Sequence, residues 1–292
     1  MTVGNADLAE DALDKAAEVR EEAGLPFGTP VNVYDLCEKL SPQVRVRFAN
    51  YSMEGCYHRS DRPLIEVSAL RPLGRRTFNT AHELGHHVLG HPGMRLDEQI
   101  GEGKSDPATS PEEFAANAFA GFLLMPKIGV RRAFTARGWK ASVARPEEVF
   151  AIACHFGVGY LTLVNHLAFS LKEITREGAG VLSKVGLPVI RRSLLGGQGS
   201  DRLWVADRHY SMPTLDTEVG TTLLLPAGSE PEFDHLRHDA DIPLGRVFTP
   251  TRPGLIRVET ADGWAVVVRV AKYQYSGWST NRHLELEDGD DE

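Results

Sequence analysis

Apolar residues recur at helical spacing over much of the first 170 residues, and turn residues separate these runs. Asn5 is placed to cap a helix that Gly24 and Pro26 end. Shorter patterns of the same kind follow. They predict helices over residues 33–40, 74–89, 111–124, 147–154 and 160–171, with a polar, Gly-rich loop at 93–109.

Strand-like patterns occur in two parts of the chain. Residues 44–48 and 64–67 are strand-like, and the turn residues 58–61 between them predict a hairpin. After residue 178 the chain becomes rich in Gly and Pro. Short apolar runs there predict strands at 203–206, 221–225, 255–258 and 264–270, the last two joined by the hairpin signal at 260–263.

Together these patterns predict an α+β protein. We expect a mainly helical domain with a small sheet, then a helix-turn-helix-like segment, then a β-rich domain, then an acidic tail. The expected ranges are 1–140, 141–176, 177–284 and 285–292, and six of the last eight residues are acidic.

Composition narrows the class of protein. The 292 residues are 42% hydrophobic and carry a formal charge of −8, so a packed core is expected and a global polyanion-binding surface is not. No stretch approaches the roughly 18 consecutive apolar residues of a membrane span, and no export signal is visible. The separated cysteines, Cys37, Cys56 and Cys154, form no disulfide or metal-binding pattern, which favours a cytoplasmic location.

The segment His82-Glu83-Leu84-Gly85-His86 carries the most specific chemical signal. Histidines four apart lie on one face of a helix, so both can reach one metal ion. Glu83 lies beside that face and is placed to act as general base toward a zinc-activated water. Solvated surface histidines are the alternative, but the apolar residues around them favour a partly buried metal site.

A third ligand is needed for a hydrolytic zinc site. A third histidine of the extended motif would fall at Pro92, and His91 is one position out of register. Glu113 on the next helix is a candidate, on a stripe of small residues that allows close helix packing. Its spacing from Ser110 equally suits a capping box, so both roles stay open at this point.

Residues 75–86, 113–120 and 123–126 resemble the motifs of the ImmA/IrrE family of zinc metallopeptidases, and the likeness covers about residues 6–170. It implies that His82, His86 and Glu113 bind Zn²⁺, with Mn²⁺ as an alternative ion, and that Glu83 is the general base. One departure is Ala115, because the family usually has Glu-Ala-Asn where this chain has Ala115-Ala116-Asn117.

The same resemblance implies a function. Known members cleave helix-turn-helix repressors and thereby switch on genes in stress responses or mobile-element induction. It implies an endopeptidase with a helix-turn-helix repressor or antitoxin as its substrate. The strand at 64–67 is a candidate to hold that substrate in an extended form. Tyr51, Tyr57 and His58 are candidates for the oxyanion donor, but we interpret each as structural. In some family members a sensor-like domain follows the protease, so the resemblance also implies a regulatory role for the β-rich domain at 177–284.

Two other interpretations compete with this one. A non-catalytic regulator that binds a repressor or DNA would use zinc for structure only, but it would not need Glu83. The helix-turn-helix pattern at 147–169 has no Lys or Arg in its second helix, so direct DNA binding is not expected. A self-cleaving protein would be cut in the loop at 194–202. His235 and His238 lack a metal motif and lie in an acidic stretch interpreted as a loop.

Overall fold

The computed structural model describes residues 4–40, 44–50, 52, 54–92 and 110–284. Within these ranges it shows an α+β protein with three four-stranded sheets, which confirms the predicted class. The loop predicted at 93–109, the acidic tail at 285–292 and Tyr51 lie outside the described residues.

Helices make up most of the first 195 residues. They are α1 (Asn5–Glu22), α2 (Val33–Lys39), α3 (Leu73–Val88), α4 (Pro111–Leu124), α5 (Lys127–Ala136), α6 (Pro146–His155), α7 (Tyr160–Asn165), α8 (Arg176–Ser183) and α9 (Leu187–Leu194). A single π-helical turn, His166–Ser170, continues α7. The predicted helices are confirmed, whereas α5, α8 and α9 were not predicted, because their short apolar patterns are interrupted by Gly and Pro.

Helix α4 packs against both α1 and α3. Small residues allow this approach, since a Cβ added to Gly85 of α3 would lie 3.2 Å from the Cα of Ala116 on α4. Leu84 and Phe119 are fully buried beside this contact. The two helices that carry the candidate chemistry therefore pack backbone to backbone.

The first sheet has the strand order β12-β1-β3-β2. Its strands are β1 (Arg45–Ala49), β2 (Gly55–His58), β3 (Leu64–Ser68) and the late strand β12 (Gly277–Trp278). The hairpin predicted between the first two runs is wrong, because β1 and β3 are parallel neighbours. The intervening β2 instead pairs antiparallel with β3, which places β3 inside the sheet.

Two further sheets occupy the C-terminal region, defined here as residues 202–284. One has the order β4-β6-β9-β8 and the other β5-β11-β10-β7. The strands are β4 (Leu203–Val205), β5 (Thr214–Glu218), β6 (Thr222–Leu225), β7 (Glu230–Pro231), β8 (Leu236–Ile242), β9 (Gly245–Pro250), β10 (Gly254–Glu259) and β11 (Ala265–Ala271). The predicted β10–β11 hairpin is confirmed.

Strand β8 corrects the interpretation of its segment as a loop. His238 pairs with Phe248 of β9, and most of β8 is exposed. An edge strand with so few buried positions shows no apolar alternation, so its sequence does not look like a strand.

Apolar packing and ion pairs join the C-terminal region to the helical part. The core of the helical part extends to Leu203 and Val205 of β4. Asp216 of β5 forms ion pairs with Arg269 and Arg282, and both arginines also contact Asp35 of α2. The predicted division into domains stays a prediction.

Within the described ranges, no helix taken singly has both the length and the apolar character needed to cross a membrane. Helix α6 and the helical segment Tyr160–Ser170 have that length and apolar character only when they are taken together, and they are bent by 100° relative to each other.

Candidate metal centre

Helix α3 presents the two motif histidines one turn apart. Their Nε2 atoms lie 3.1 Å from each other, and both side chains are buried. Leu84, on the same helix, faces the core of the helical part. This amphipathic arrangement fixes the histidine-bearing face of α3 toward α4.

Helix α4 brings Glu113 to this pair. Its Oε2 lies 3.2 Å from Nε2 of His82, and its Oε1 lies 3.5 Å from Nε2 of His86. The helix is capped by Ser110, whose Oγ accepts a hydrogen bond from the backbone N–H of Glu113. The residue thus contributes its N–H to the cap and its carboxylate to the histidine pair.

The donor set fits a divalent metal ion. Ligand atoms 2.0–2.1 Å from a tetrahedral zinc lie about 3.3 Å apart, and the three distances above bracket that value. Hydrogen bonds with His82 and His86 hold the pKa of Glu113 well below its usual range, so the carboxylate is ionised, as a ligand must be. Three protein ligands leave a tetrahedral ion with one open position, the pattern of hydrolytic sites.

A second layer of side chains stands behind these donors. The Nδ1 atoms of His86 and His91 lie 2.9 Å apart, so His91 orients the ring of His86. His91, which is one position out of register for a third ligand and had solvated histidines as its alternative, instead supports a ligand. The Tyr57 hydroxyl lies 2.7 Å from Nδ1 of His87, and His58 pairs with Glu66, so both have the structural contacts expected of them.

Glu83 is buried next to the candidate metal-binding side chains, and strand β2 lies close to the Glu83 carboxylate. A Cβ added to Gly55 would lie 2.8 Å from Oε1 of Glu83, so any larger residue at this position would force the carboxylate to shift. No local sequence pattern marks Gly55, because its importance depends on a residue in another element.

A cavity of about 820 Å³ extends from the candidate metal-binding side chains to the C-terminal region. At the metal-binding end, His82, Glu83 and Glu113 line it. Glu54, also in the lining, is held by Arg71, Arg75 and Asn79. The remaining wall includes residues of α7, α9 and the C-terminal region, namely Leu161, Leu187, Arg191, Arg202, Trp204 and Tyr273. We refer to this cavity as the cleft.

The turn between α6 and α7, in the segment predicted to be helix-turn-helix-like, packs against α3. A Cβ added to Gly74 would lie 2.6 Å from the carbonyl carbon of Val158 and 2.7 Å from the nitrogen of Gly159. The N-terminal residues of α7, Leu161 and Thr162, line the cleft. In DNA-binding proteins of this type, these are the positions that contact bases.

His238 lies away from any cluster of metal-binding side chains. Its Nε2 is 3.2 Å from Asp241, and both side chains are exposed. Across the described part of the chain, the one group of His, Cys, Asp and Glu side chains close enough to share an ion is His82, His86 and Glu113.

Comparison with known proteins gives one family. Residues 37–168 match the model of the peptidase M78 family, described as the IrrE N-terminal-like domain. The matched segment contains the three candidate metal-binding residues, Glu83 and the helices α3 and α4 that position them. No curated protein matches the chain.

Proposed function

Through residues 37–168 the chain belongs to the ImmA/IrrE peptidase family, and from this we propose that it is a zinc-dependent endopeptidase. His82, His86 and Glu113 hold the ion, with Mn²⁺ as an alternative, and Glu83 is the general base. The substrate is a helix-turn-helix repressor or antitoxin, whose cleavage derepresses genes.

The observation that carries this proposal is the position of Glu83. Its carboxylate is buried next to three metal-binding groups and lines the same cleft. A structural zinc site is closed by a fourth protein ligand and needs no adjacent base. A carboxylate beside an open metal position is instead the arrangement required for hydrolysis.

The chain's own residues account for the proton transfers. When bound, zinc supplies Lewis-acid chemistry, polarising the scissile carbonyl and lowering the pKa of water to about 7. Glu83 takes a proton from the attacking water and passes it to the nitrogen of the leaving amine, which allows the peptide bond to break. The buried site around Glu83 strengthens these interactions by limiting access of solvent.

The shape of the cleft supports a selective enzyme. Its walls come from α3, α4, α7, α9 and the C-terminal region, so a substrate must fit several elements at once. Strand β3, expected to hold the substrate, is enclosed between β1 and β2 and has no free edge for this role. The position of α7 in the wall supports a role in shaping the cleft instead of contacting DNA.

To test the proposed substrate class, the zinc-loaded protein is incubated with helix-turn-helix proteins encoded beside its gene, and the intact masses of all proteins are measured. We expect one of them to be converted into two fragments whose masses sum to the parent plus one water. Intact masses for all of them, together with a stable complex, would instead favour a non-catalytic regulator. Two fragments of the protein itself would indicate self-cleavage.

A further inference from the structure

A second set of polar groups lines the cleft, contributed by α9 and the C-terminal region. It consists of Arg191 on α9, Arg202 and Trp204 around β4, and Thr221 before β6. We call these four residues the donor cluster. None of them belongs to the group that binds the metal, and the cluster lies outside the segment that matches the peptidase family.

Each member of the donor cluster has a buried polar atom without a hydrogen-bond partner among the described residues. These atoms are Nε of Arg191, Nη1 of Arg202, Nε1 of Trp204 and Oγ1 of Thr221. Thr221 is almost completely buried, with 3% of its surface exposed. A buried donor without a partner is costly, and several in one cavity indicate a ligand that supplies acceptors.

The charge of the donor cluster is only partly balanced. Arg191 forms no ion pair with any described carboxylate, although the exposed Asp201 is near enough to favour its charge. The side chain of Arg191 is half-buried, and this burial lowers the pKa of its guanidinium. An arginine left in this state gains most from an anion that enters the cleft.

Arg202 has its nearest carboxylate already engaged elsewhere. Its Nη1 is 3.9 Å from Oε2 of Glu218, whereas Oε1 of Glu218 lies 2.6 Å from Arg76. The Arg202 guanidinium also stacks over Tyr273, 4.1 Å from the ring centroid. This stacking fixes the plane of the guanidinium, and its Nη2 donates a hydrogen bond to the backbone carbonyl of Gly220, whereas its buried Nη1 has no hydrogen-bond partner among the described residues.

We propose that the donor cluster binds an oxyanion, either a carboxylate or a phosphate, carried by the molecule that occupies the cleft. Two guanidinium groups, an indole N–H and a hydroxyl line the same part of the wall, next to α9 and β4, and such a set of donors is suited to an anion with several oxygens. Such an anion is either the acidic side chain of a peptide, which rests on the proposed peptidase function, or a free phosphate-bearing molecule that controls access to the cleft.

The test measures binding in a protein that cannot cut its ligand. The zinc-loaded Glu83→Gln protein is titrated calorimetrically with inorganic phosphate and with short capped alanine peptides that carry one Glu at varied positions. A matched peptide set carries Gln instead. The same titrations are repeated in the Arg191→Gln and Arg192→Gln backgrounds, where Arg192 is the exposed neighbour and serves as the control.

We expect an anionic probe to bind about 10- to 100-fold more weakly to the Arg191→Gln protein than to the Arg192→Gln protein. Arg191→Lys should give an intermediate affinity, since it keeps the charge but loses the paired donors. Dependence on Arg191 with the Glu peptides identifies a substrate side chain, and dependence with phosphate identifies a free anion.

The proposal is overturned if no anionic probe binds, or if the Arg191→Gln and Arg192→Gln proteins bind every probe equally. These outcomes are independent of the peptidase proposal, because no cleavage is measured. Failure of the wild-type protein to cut a repressor would leave the binding result unchanged.

Discussion

Arg76 and Glu218 form a buried ion pair that joins the helix of the metal-binding histidines to the C-terminal region. Nη2 of Arg76 lies 2.6 Å from Oε1 of Glu218, and each side chain is about 5% exposed or less. Glu218 also accepts a hydrogen bond from the backbone N–H of Gln274. The C-terminal region therefore fixes α3 directly, six residues before His82.

Breaking this pair should destabilise the protein strongly. Glu218→Gln leaves the buried Arg76 charge uncompensated, so we expect the free energy of unfolding to fall by about 3–5 kcal/mol in chemical denaturation. The control is Glu259→Gln, which breaks an exposed pair with Arg257 and should cost under about 1 kcal/mol. An equal loss of unfolding free energy in the two variants would show that the buried pair does not stabilise the contact between α3 and the C-terminal region.

Substitution of Gly55 tests the position of the base. In Gly55→Ala the new Cβ would lie 2.8 Å from Oε1 of Glu83 and would displace that carboxylate. We expect kcat to fall about 10- to 100-fold with little change in metal affinity, since misplacement by about 1 Å costs this much. Gly180→Ala is the control, because a Cβ there meets no atom within 4 Å. Unchanged kcat in Gly55→Ala would contradict the role assigned to Glu83.

Substitution of Glu113 tests its assignment as a metal ligand. Glu113→Gln should weaken zinc binding by more than about 100-fold in competition with a chromogenic chelator, because loss of even an outer-shell partner costs about 10- to 100-fold. Glu112→Gln, at the half-buried neighbouring position outside the group of metal-binding side chains, should bind zinc as the wild type does. Equal affinity in both variants would restrict Glu113 to its place in the helix cap.

The helices that carry the candidate site could be predicted from the sequence because their signals are local. The spacing of His82 and His86 and the Ser110-Pro111 start of α4 define the two helices without reference to any other part of the chain. Their close packing could also be expected from the small residues along α4. The grouping of Glu113 with the histidines follows from that packing.

The rest of the site depends on contacts between distant segments. Strand β12 pairs with β1 across more than 200 residues, and β2 is too short and Gly-containing to show a strand pattern. Gly55 becomes significant only when β2 lies beside α3. Arg191 likewise lies on a helix that the Gly and Pro residues around it concealed, so the cleft could not be predicted.

Stability should decrease in mild acid because of a buried histidine. Burial lowers the pKa of His166 to about 4, against 6.5 for a free histidine, so the unfolded chain binds the additional proton between these values. The stabilising contribution is complete above pH 6.5 and is lost as the pH falls toward 4.

The loss from this residue should reach roughly 2–3 kcal/mol over that range, measured as the free energy of unfolding at a series of pH values. His166→Gln should flatten the pH dependence, whereas His209→Gln, at an exposed position, should leave it unchanged. A pH dependence that is identical in all three proteins would show that His166 does not remain neutral in the folded state.

The most direct test of the account is to measure metal content and cleavage on the same preparations of wild type and Glu83→Gln. The account predicts one metal ion per chain in both proteins. It also predicts that Glu83→Gln cleaves the substrate of the wild type at least about 100-fold more slowly, the range expected for loss of a general base. Cleavage at the wild-type rate by Glu83→Gln, or by wild type from which the metal has been removed, would contradict it.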